Sequence, residues 1–251
     1  MDFDLNAGWS IEPAGGTTGS AYLGIYAHEK FFLKRNASPF LAALSVEGIT
    51  PKLIWTKRIV TGDVLTAQEW LNGRTLTKQE MAMSRVPRLL AKVHHSTLLE
   101  RMLAKVGGHP LDPKQFRDQT VAQSNPWHNV QAVQAAIAQT QTAPVVAELR
   151  ACHGDLSHKN WLLSEHDELY LVDWDQAILA DVAYDLSEIL VDYIPVTDWP
   201  HWLSIYGLAL SDNLQARLLW YGKLHLLHTL TQPHADTQQV LDRLAELVSL
   251  E

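Results

Sequence analysis

The stretch from Trp161 to Asp175, WLLSEHDELYLVDWD, constrains this chain more than any other. Two short apolar runs, WLL and LYLV, flank the polar loop SEHDE and read as strands that pair in a hairpin. In that hairpin the residue before the first strand and the residue after the second come side by side. Those residues are Asn160 and Asp173. A carboxamide and a carboxylate at one hairpin mouth are hard oxygen donors of the kind Mg²⁺ takes. Immediately upstream lies HGDLSHKN, His153 to Asn160, with Asp155 at its third position. A carboxylate there can orient a hydroxyl and accept its proton, so the two segments together hold the parts that phosphoryl transfer to an alcohol requires.

The remainder of the chain divides at Gly73. Before it, WSIEP, SAYLGIYA and KFFLKRN read as strands separated by GGTTG and by a turn at HEK. NASPFLAALSVEG reads as a short helix that Ser38 starts and Gly48 ends. KLIWTKRI and DVLTAQEWL then form a second hairpin across VTGD. This half also offers a nucleotide end. GGTTGS (Gly15, Gly16, Thr17, Thr18, Gly19 and Ser20) can fold over phosphates, because glycines permit close backbone approach. Lys34 can reach the phosphates from its strand, and the QEWLNG segment, with Gln68 and Trp70, can present backbone groups to an adenine edge. After Gly73, apolar residues recur at helical spacing from Val86 to Leu103, ending at Gly107–Gly108. DPKQFRDQTVAQ and WHNVQAVQAAIAQTQ read as further helices, the second a polar surface one. Past the hairpin the chain is helical to its end, so the pattern is a two-lobed α+β protein.

Composition narrows the partners. A formal charge of −8 argues against a general nucleic-acid binder, which needs a basic face. Cys152 is the only cysteine, so no intrachain disulfide forms and a reducing compartment is expected. The opening MDFDLNAGWS lacks the pattern of a secretory signal, and no apolar run approaches the ~20 residues of a spanning helix. The expectation is a cytoplasmic protein that acts on a small molecule, with no nucleic acid and no membrane as partner.

HGDLSHKN followed by LVDWDQAILADVAYDLSEI resembles the motif pair of the aminoglycoside phosphotransferase and choline kinase family, more closely its small bacterial choline- or thiamine-kinase-like branch. The usual order there is His-Gly-Asp, four residues, Asn, then Ile-Asp-Trp-acidic, Asp-Pro and Asp-Leu-Ala. Here these become Asp173-Trp174-Asp175, Asp181-Val182 and Asp185-Leu186-Ser187. The resemblance implies a bilobal protein-kinase-like fold, with a small β-rich N-lobe over residues 1–72 and a larger, mostly helical C-lobe over residues 73–251. It implies ATP and Mg²⁺ as cofactors, Asp155 as catalytic base, Asn160 and Asp173 as metal ligands, and Lys34 on the phosphates. Asp185 would brace the catalytic loop, and His153 would be structural. Acidic residues after Asp181, Glu188 and Asp192 among them, are candidates to meet a cationic acceptor.

Two departures stand out. A glutamate that pairs with the phosphate lysine is expected on the following helix, yet the nearest, Glu47, falls beside Gly48 at that helix's end. The glycine loop is also not Gly-x-Gly-x-x-Gly. These departures motivate an alternative: a kinase-fold protein without catalysis that binds a nucleotide or another ligand. A haloacid-dehalogenase-like phosphatase fits less well, because too few residues follow Asp173 and HGDLSHKN is left unexplained. A protein kinase fits less well too, since Ser157 stands where those enzymes carry lysine and no activation segment fits between Asp173 and Asp185.

Overall fold

Alternating burial along the first strands follows from a sheet with two differently employed faces. In the computed structural model of the protein, the described residues are 5, 8–14, 20–146 and 148–250. Gly15, Gly16, Thr17, Thr18 and Gly19 of the expected phosphate loop lie outside them. Strands β1 (Ser10–Pro13), β2 (Ala21–Tyr26), β3 (Glu29–Arg35), β4 (Leu53–Arg58) and β5 (Val64–Glu69) form an antiparallel sheet ordered β1-β2-β3-β5-β4. The register Tyr22↔Leu33↔Ala67 puts these side chains on one face. With Ile59 and Leu65 they make a small apolar core, against which Trp9 packs while stacking on Tyr26 at 5.2 Å. One residue out of phase, Ala21↔Lys34↔Thr66 and Leu23↔Phe32↔Gln68 occupy the opposite face. Helix α1 (Phe40–Val46) links β3 to β4. Ser38 Oγ accepts the Phe40 N–H at 3.2 Å, and Gly48, at φ +61°, lets Ile49 N–H close back on Leu44 O at 2.9 Å.

The second lobe is built on helices. They are α2 (Arg85–His95), α3 (Thr97–Lys105), α4 (Pro113–Gln123), α5 (Gln131–Gln139), α6 (Val182–Tyr193), α7 (Trp199–Tyr206), α8 (Asp212–Thr229) and α9 (Thr237–Val248). Between them lie β6 (Gly73–Thr75), β7 (Arg150–Cys152), β8 (Trp161–Ser164), β9 (Leu169–Leu171) and β10 (Ile178–Ala180). The large core runs through α2, α6, α7 and α8, and fully buries Leu90, Trp161, Leu186 and Leu190 among others. Each such side chain contributes about 1.5–3 kcal/mol through burial. Helix α6 packs on α8 and lies beneath the loop that follows β7. The result is a mixed α+β protein with a β-rich N-terminal lobe and a mostly helical C-terminal one. Among the described residues no helix is long and apolar enough to cross a membrane.

Three elements differ from the expectation. Gly73 opens β6, which pairs with β8; a Cβ there would meet Leu163 O at 2.3 Å, so the glycine serves close strand approach. The helical period after Val86 is broken at Ser96, whose hydroxyl caps α3 by accepting the Leu99 N–H at 3.1 Å. Helix α5 is not purely a surface helix, since Val133 and Ala136 are buried and the helix packs on α9.

Candidate active site

The chain from His153 to His158 has no strand partner, so its amide N–H groups must find acceptors elsewhere. They find them one by one, mostly in side chains of α6. His153 N–H and Gly154 N–H donate to the two oxygens of Asp185 at 2.7 and 3.0 Å. Asp155 N–H donates to His153 Nδ1 at 3.2 Å, and Leu156 N–H to Glu188 Oε1 at 2.7 Å. Ser157 N–H reaches Asp155 Oδ1 at 3.4 Å, and His158 N–H reaches the Tyr193 hydroxyl at 3.0 Å. Asp185 is itself held by His94 of α2, whose Nε2 lies 3.0 Å from Oδ2 while its Nδ1 lies 2.8 Å from the Tyr206 hydroxyl. Both His94 and Asp185 have fully buried side chains. Burial works against the Asp185 charge, but the bond from His94 and the loop amides hold its carboxyl below the usual carboxylate range.

Gly154 makes the sharp turn into Asp155 possible. Its φ is +81°, and a Cβ there would meet Gln176 O at 2.6 Å. Gly154→Ala is therefore expected to lower stability by about 1–3 kcal/mol and to displace Asp155. Chemical unfolding and transfer assays should show both losses together.

The hairpin forms as its sequence requires. β8 pairs with β9 in the register Trp161↔Leu171, and Val172 N–H donates to Asn160 O at 2.9 Å, so Asp173 emerges beside Asn160. His153 ties this end to the preceding loop, because its Nε2 donates to Val172 O at 2.9 Å. Burial lowers the His153 pKa, so the ring stays neutral and works as a strut. Asn160 Nδ2 donates to Asp155 O at 2.9 Å, which leaves its carboxamide oxygen for other partners. Asp173 adopts φ +64°, a left-handed conformation uncommon outside glycine, and a 3-10 turn follows it. Trp174 turns inward between Phe40 and His153, with ring centroids at 5.7 and 4.6 Å, while Asp173 and Asp175 face the cleft.

Lys34 descends from the other lobe onto this pair. Its Nζ lies 3.3 Å from Asp173 and 2.9 Å from both oxygens of Asp175. Asp175 was not singled out from sequence; its spacing of two from Asp173 was the available signal. Glu47 does not reach Lys34. Its carboxylate accepts the Ser96 hydroxyl at 2.9 Å and so joins α1 to the α2–α3 junction. Gln68 shares the face of Lys34 but is buried, and its amide donates to Pro51 O at 2.8 Å. Trp70 lies apart from Lys34, lining a cavity of about 550 Å³ with Phe31, Lys52, Ile54 and Glu69. Ser20 stands just before β2, where its carbonyl accepts the Arg35 N–H at 3.0 Å.

On the other side of Asp155, α6 and α8 supply a second polar cluster. His225 Nε2 lies 3.0 Å from Asp192 Oδ2. Burial acts to lower the His225 pKa, yet Asp192 and Glu188 outweigh it and raise it to about 9. Glu188 is pushed up to about 8, first by burial; His225 opposes the rise, and Asp185, Asp192 and Asp155 add to it. Both groups therefore hold protons more tightly in the folded state than in the unfolded one. Stability from His225 is fully present below its ordinary value of 6.5 and lost as pH rises through about 9. That from Glu188 is lost between 4.5 and about 8. Urea unfolding is expected to show the contribution of this pair falling from pH 4.5 to about 9, by a few kcal/mol in total. Glu188→Gln and His225→Gln should each flatten that fall; an unchanged slope would contradict the assignment. The buried cluster of His94, Cys152 and Asp185 lies within 4.8 Å, but His94 and Asp185 already satisfy one another and the loop. Burial also raises the Cys152 thiol well above its ordinary pKa, so this is a polar node of the core.

The profile of the phosphotransferase enzyme family matches residues 12–221, which span both the Lys34 strand and the His153–Asn160 loop. This chain belongs to the phosphotransferase enzyme family. Solved structures agree on the fold. Choline kinase LicA from Streptococcus pneumoniae is 17% identical, with a TM-score of 0.66 over 98% of this chain and 95% of that one. A choline/ethanolamine kinase family protein from Mesorhizobium loti is 16% identical, with a TM-score of 0.63 over 96% and 87%. A spectinomycin phosphotransferase in complex with ADP and spectinomycin is 15% identical, with a TM-score of 0.60 over 96% and 91%. This member of the phosphotransferase family thus has the bilobal kinase-like fold throughout its described length.

Proposed function

We propose that this protein transfers the γ-phosphoryl group of ATP, with Mg²⁺, to a hydroxyl of a small molecule. The observation that carries this reading is the convergence of Lys34 on Asp173 and Asp175, at the hairpin end that His153 and Asn160 tie to Asp155. In this reading Asp155 orients the acceptor hydroxyl and takes its proton as the oxygen attacks the γ-phosphorus. The bond from the γ-phosphorus to the bridging oxygen breaks, and ADP leaves. Lys34 positions the phosphates, helped by the backbone of Gly15–Ser20. The nucleotide base would lie against the sheet face that carries Lys34, which Leu23 and Phe32 share. Trp70 then acts by its backbone in the chain between the lobes, whereas Gln68, paired within β5 and bonded to Pro51, only supports that chain.

The donor set suits a hard divalent cation: the Asn160 carboxamide oxygen and the carboxylates of Asp173 and Asp175. When bound there, Mg²⁺ supplies neutralisation of the charge that develops on the phosphates. Lys34 bridges the same two carboxylates, so the lysine and a bound cation would share one anionic centre. The spectinomycin phosphotransferase neighbour binds ADP, which supports a nucleotide in this cleft. The acceptor lies beside Asp155, on the open side of the loop that α6 holds, and a choline-like, thiamine-like or aminoglycoside-like cation suits the acidic character of this region. Asp192 already faces His225 there, so it offers a cation less charge than its sequence position suggests. The intact trio of Asp155, Asn160 and Asp173 favours catalysis over a binding-only role.

The deciding assay follows labelled γ-phosphate from ATP·Mg²⁺ into a pooled small-metabolite extract. A labelled product supports the reading and identifies the acceptor. No product together with no nucleotide binding would sink it.

A further inference from the structure

Asp155 is bracketed by two carboxyl groups of one helix. The amide before it, Gly154 N–H, donates to Asp185, and the amide after it, Leu156 N–H, donates to Glu188. Asp185 and Glu188 are three apart on α6 and therefore share a face. The peptide group between Asp155 and Leu156 is held from both sides. Its carbonyl accepts Asn160 Nδ2 at 2.9 Å, and its N–H donates to Glu188 Oε1 at 2.7 Å. Because a peptide unit is planar, fixing both ends fixes the two torsions on either side of it.

We propose that Glu188 is a positioning residue for phosphoryl transfer, holding the Asp155–Leu156 peptide and thereby the direction of the Asp155 carboxylate. This rests on the phosphotransfer reading above and goes beyond it, since nothing in that reading requires a group at position 188. A stabilising role alone explains the residue poorly. Burial of the carboxyl works against its charge, and so do Asp185, Asp192 and Asp155, with His225 acting the other way; an apolar side chain would meet none of this. Leu156 is itself fully buried and anchored, its carbonyl accepting Trp161 Nε1 at 3.3 Å. With Leu156 fixed, the torsion that remains to be set is the one that aims Asp155. Helix α6 lies against α8, so the aim is referred to the packed core of the lobe.

The test uses the full chain and steady-state transfer from ATP·Mg²⁺ to water and to choline, thiamine and kanamycin as probes. Glu188→Ala is expected to lower kcat about 10²-fold while KM for ATP stays within a few-fold. Glu188→Gln keeps the acceptor oxygen and is expected to restore most of kcat. Glu188→Leu fills the volume without an acceptor, so it should reproduce the loss of Glu188→Ala in a chain whose folding, followed by circular dichroism, is intact. An active wild type with unchanged kcat in Glu188→Ala and Glu188→Leu overturns the inference. So does a raised KM for the probe at constant kcat, which would make Glu188 an acceptor ligand, or a Glu188→Gln variant as slow as Glu188→Ala. A wild type that turns over ATP with none of these, water included, overturns the phosphotransfer reading and this inference with it.

Discussion

Asp155→Ala is expected to reduce phosphoryl transfer by about 10³-fold, within the range a general base contributes. ATP·Mg²⁺ affinity should stay within a few-fold of wild type. The separation follows from the geometry. The groups assigned to the phosphates and cation are Lys34, Asp173, Asp175 and Asn160, and Lys34 touches Asp173 and Asp175 without touching Asp155. Among the described residues the Asp155 side chain accepts only a long bond from Ser157 N–H at 3.4 Å, so its removal leaves little unsatisfied. The main-chain carbonyl that Asn160 holds survives the substitution. Asp155→Asn should be almost as slow, because a carboxamide keeps the shape but cannot take the hydroxyl proton. Calorimetric titration with ATP·Mg²⁺ beside the labelled-phosphate assay checks both halves. A kcat within tenfold of wild type would move the base elsewhere, and lost ATP binding would place Asp155 among the nucleotide contacts.

What could be read beforehand depended on how local the cause was. The hairpin of β8 and β9 was legible because two apolar runs and a polar loop leave few alternatives, and it brings Asn160 beside Asp173 without reference to the rest of the chain. Helix α2 was legible in its period: Val86, Leu90 and Val93 mark a buried stripe, and His94 falls on it. What occupied the other side of His94 was not legible, since Asp185 lies 91 residues away and Tyr206 112. The same limit applies to Glu188. Its spacing from Asp185 places both on one helix face, but the loop amide that it meets is set by how β7 delivers His153. The break at Ser96 was hidden because apolar residues continue in helical phase on both sides of it. Glu47 illustrates the reverse case: its position beside Gly48 already argued against Lys34, and the α2–α3 junction supplied its partner instead.

Removal of the Asp185 carboxylate should have the largest effect on stability. Three donors converge on it in a site with no solvent access: His153 N–H, Gly154 N–H and His94 Nε2–H. Asp185→Ala strands all three, and an unsatisfied buried donor costs about 1–3 kcal/mol. A total of about 3–5 kcal/mol is expected, the usual result of breaking a buried charged pair from one side. For a chain of this size that corresponds to a fall in Tm of about 10 °C. Asp185→Asn should cost less but not little, since its carboxamide turns an N–H₂ toward groups that are themselves donors. Tyr206→Phe deletes only the hydroxyl at His94 Nδ1 and should lie near 1 kcal/mol. The sign with pH follows from the depressed carboxyl: its stabilisation is present above the ordinary value of 3.8 and lost as pH falls through the lower folded value. The acid limb of wild-type stability should therefore flatten in Asp185→Asn. Transfer activity at low temperature, where the variant is still folded, should remain depressed, because the loop that carries Asp155 has lost its anchor on α6. Thermal and urea unfolding of the three variants decides the order, and equal stability of Asp185→Ala and wild type would show that water or a shifted loop satisfies those donors instead.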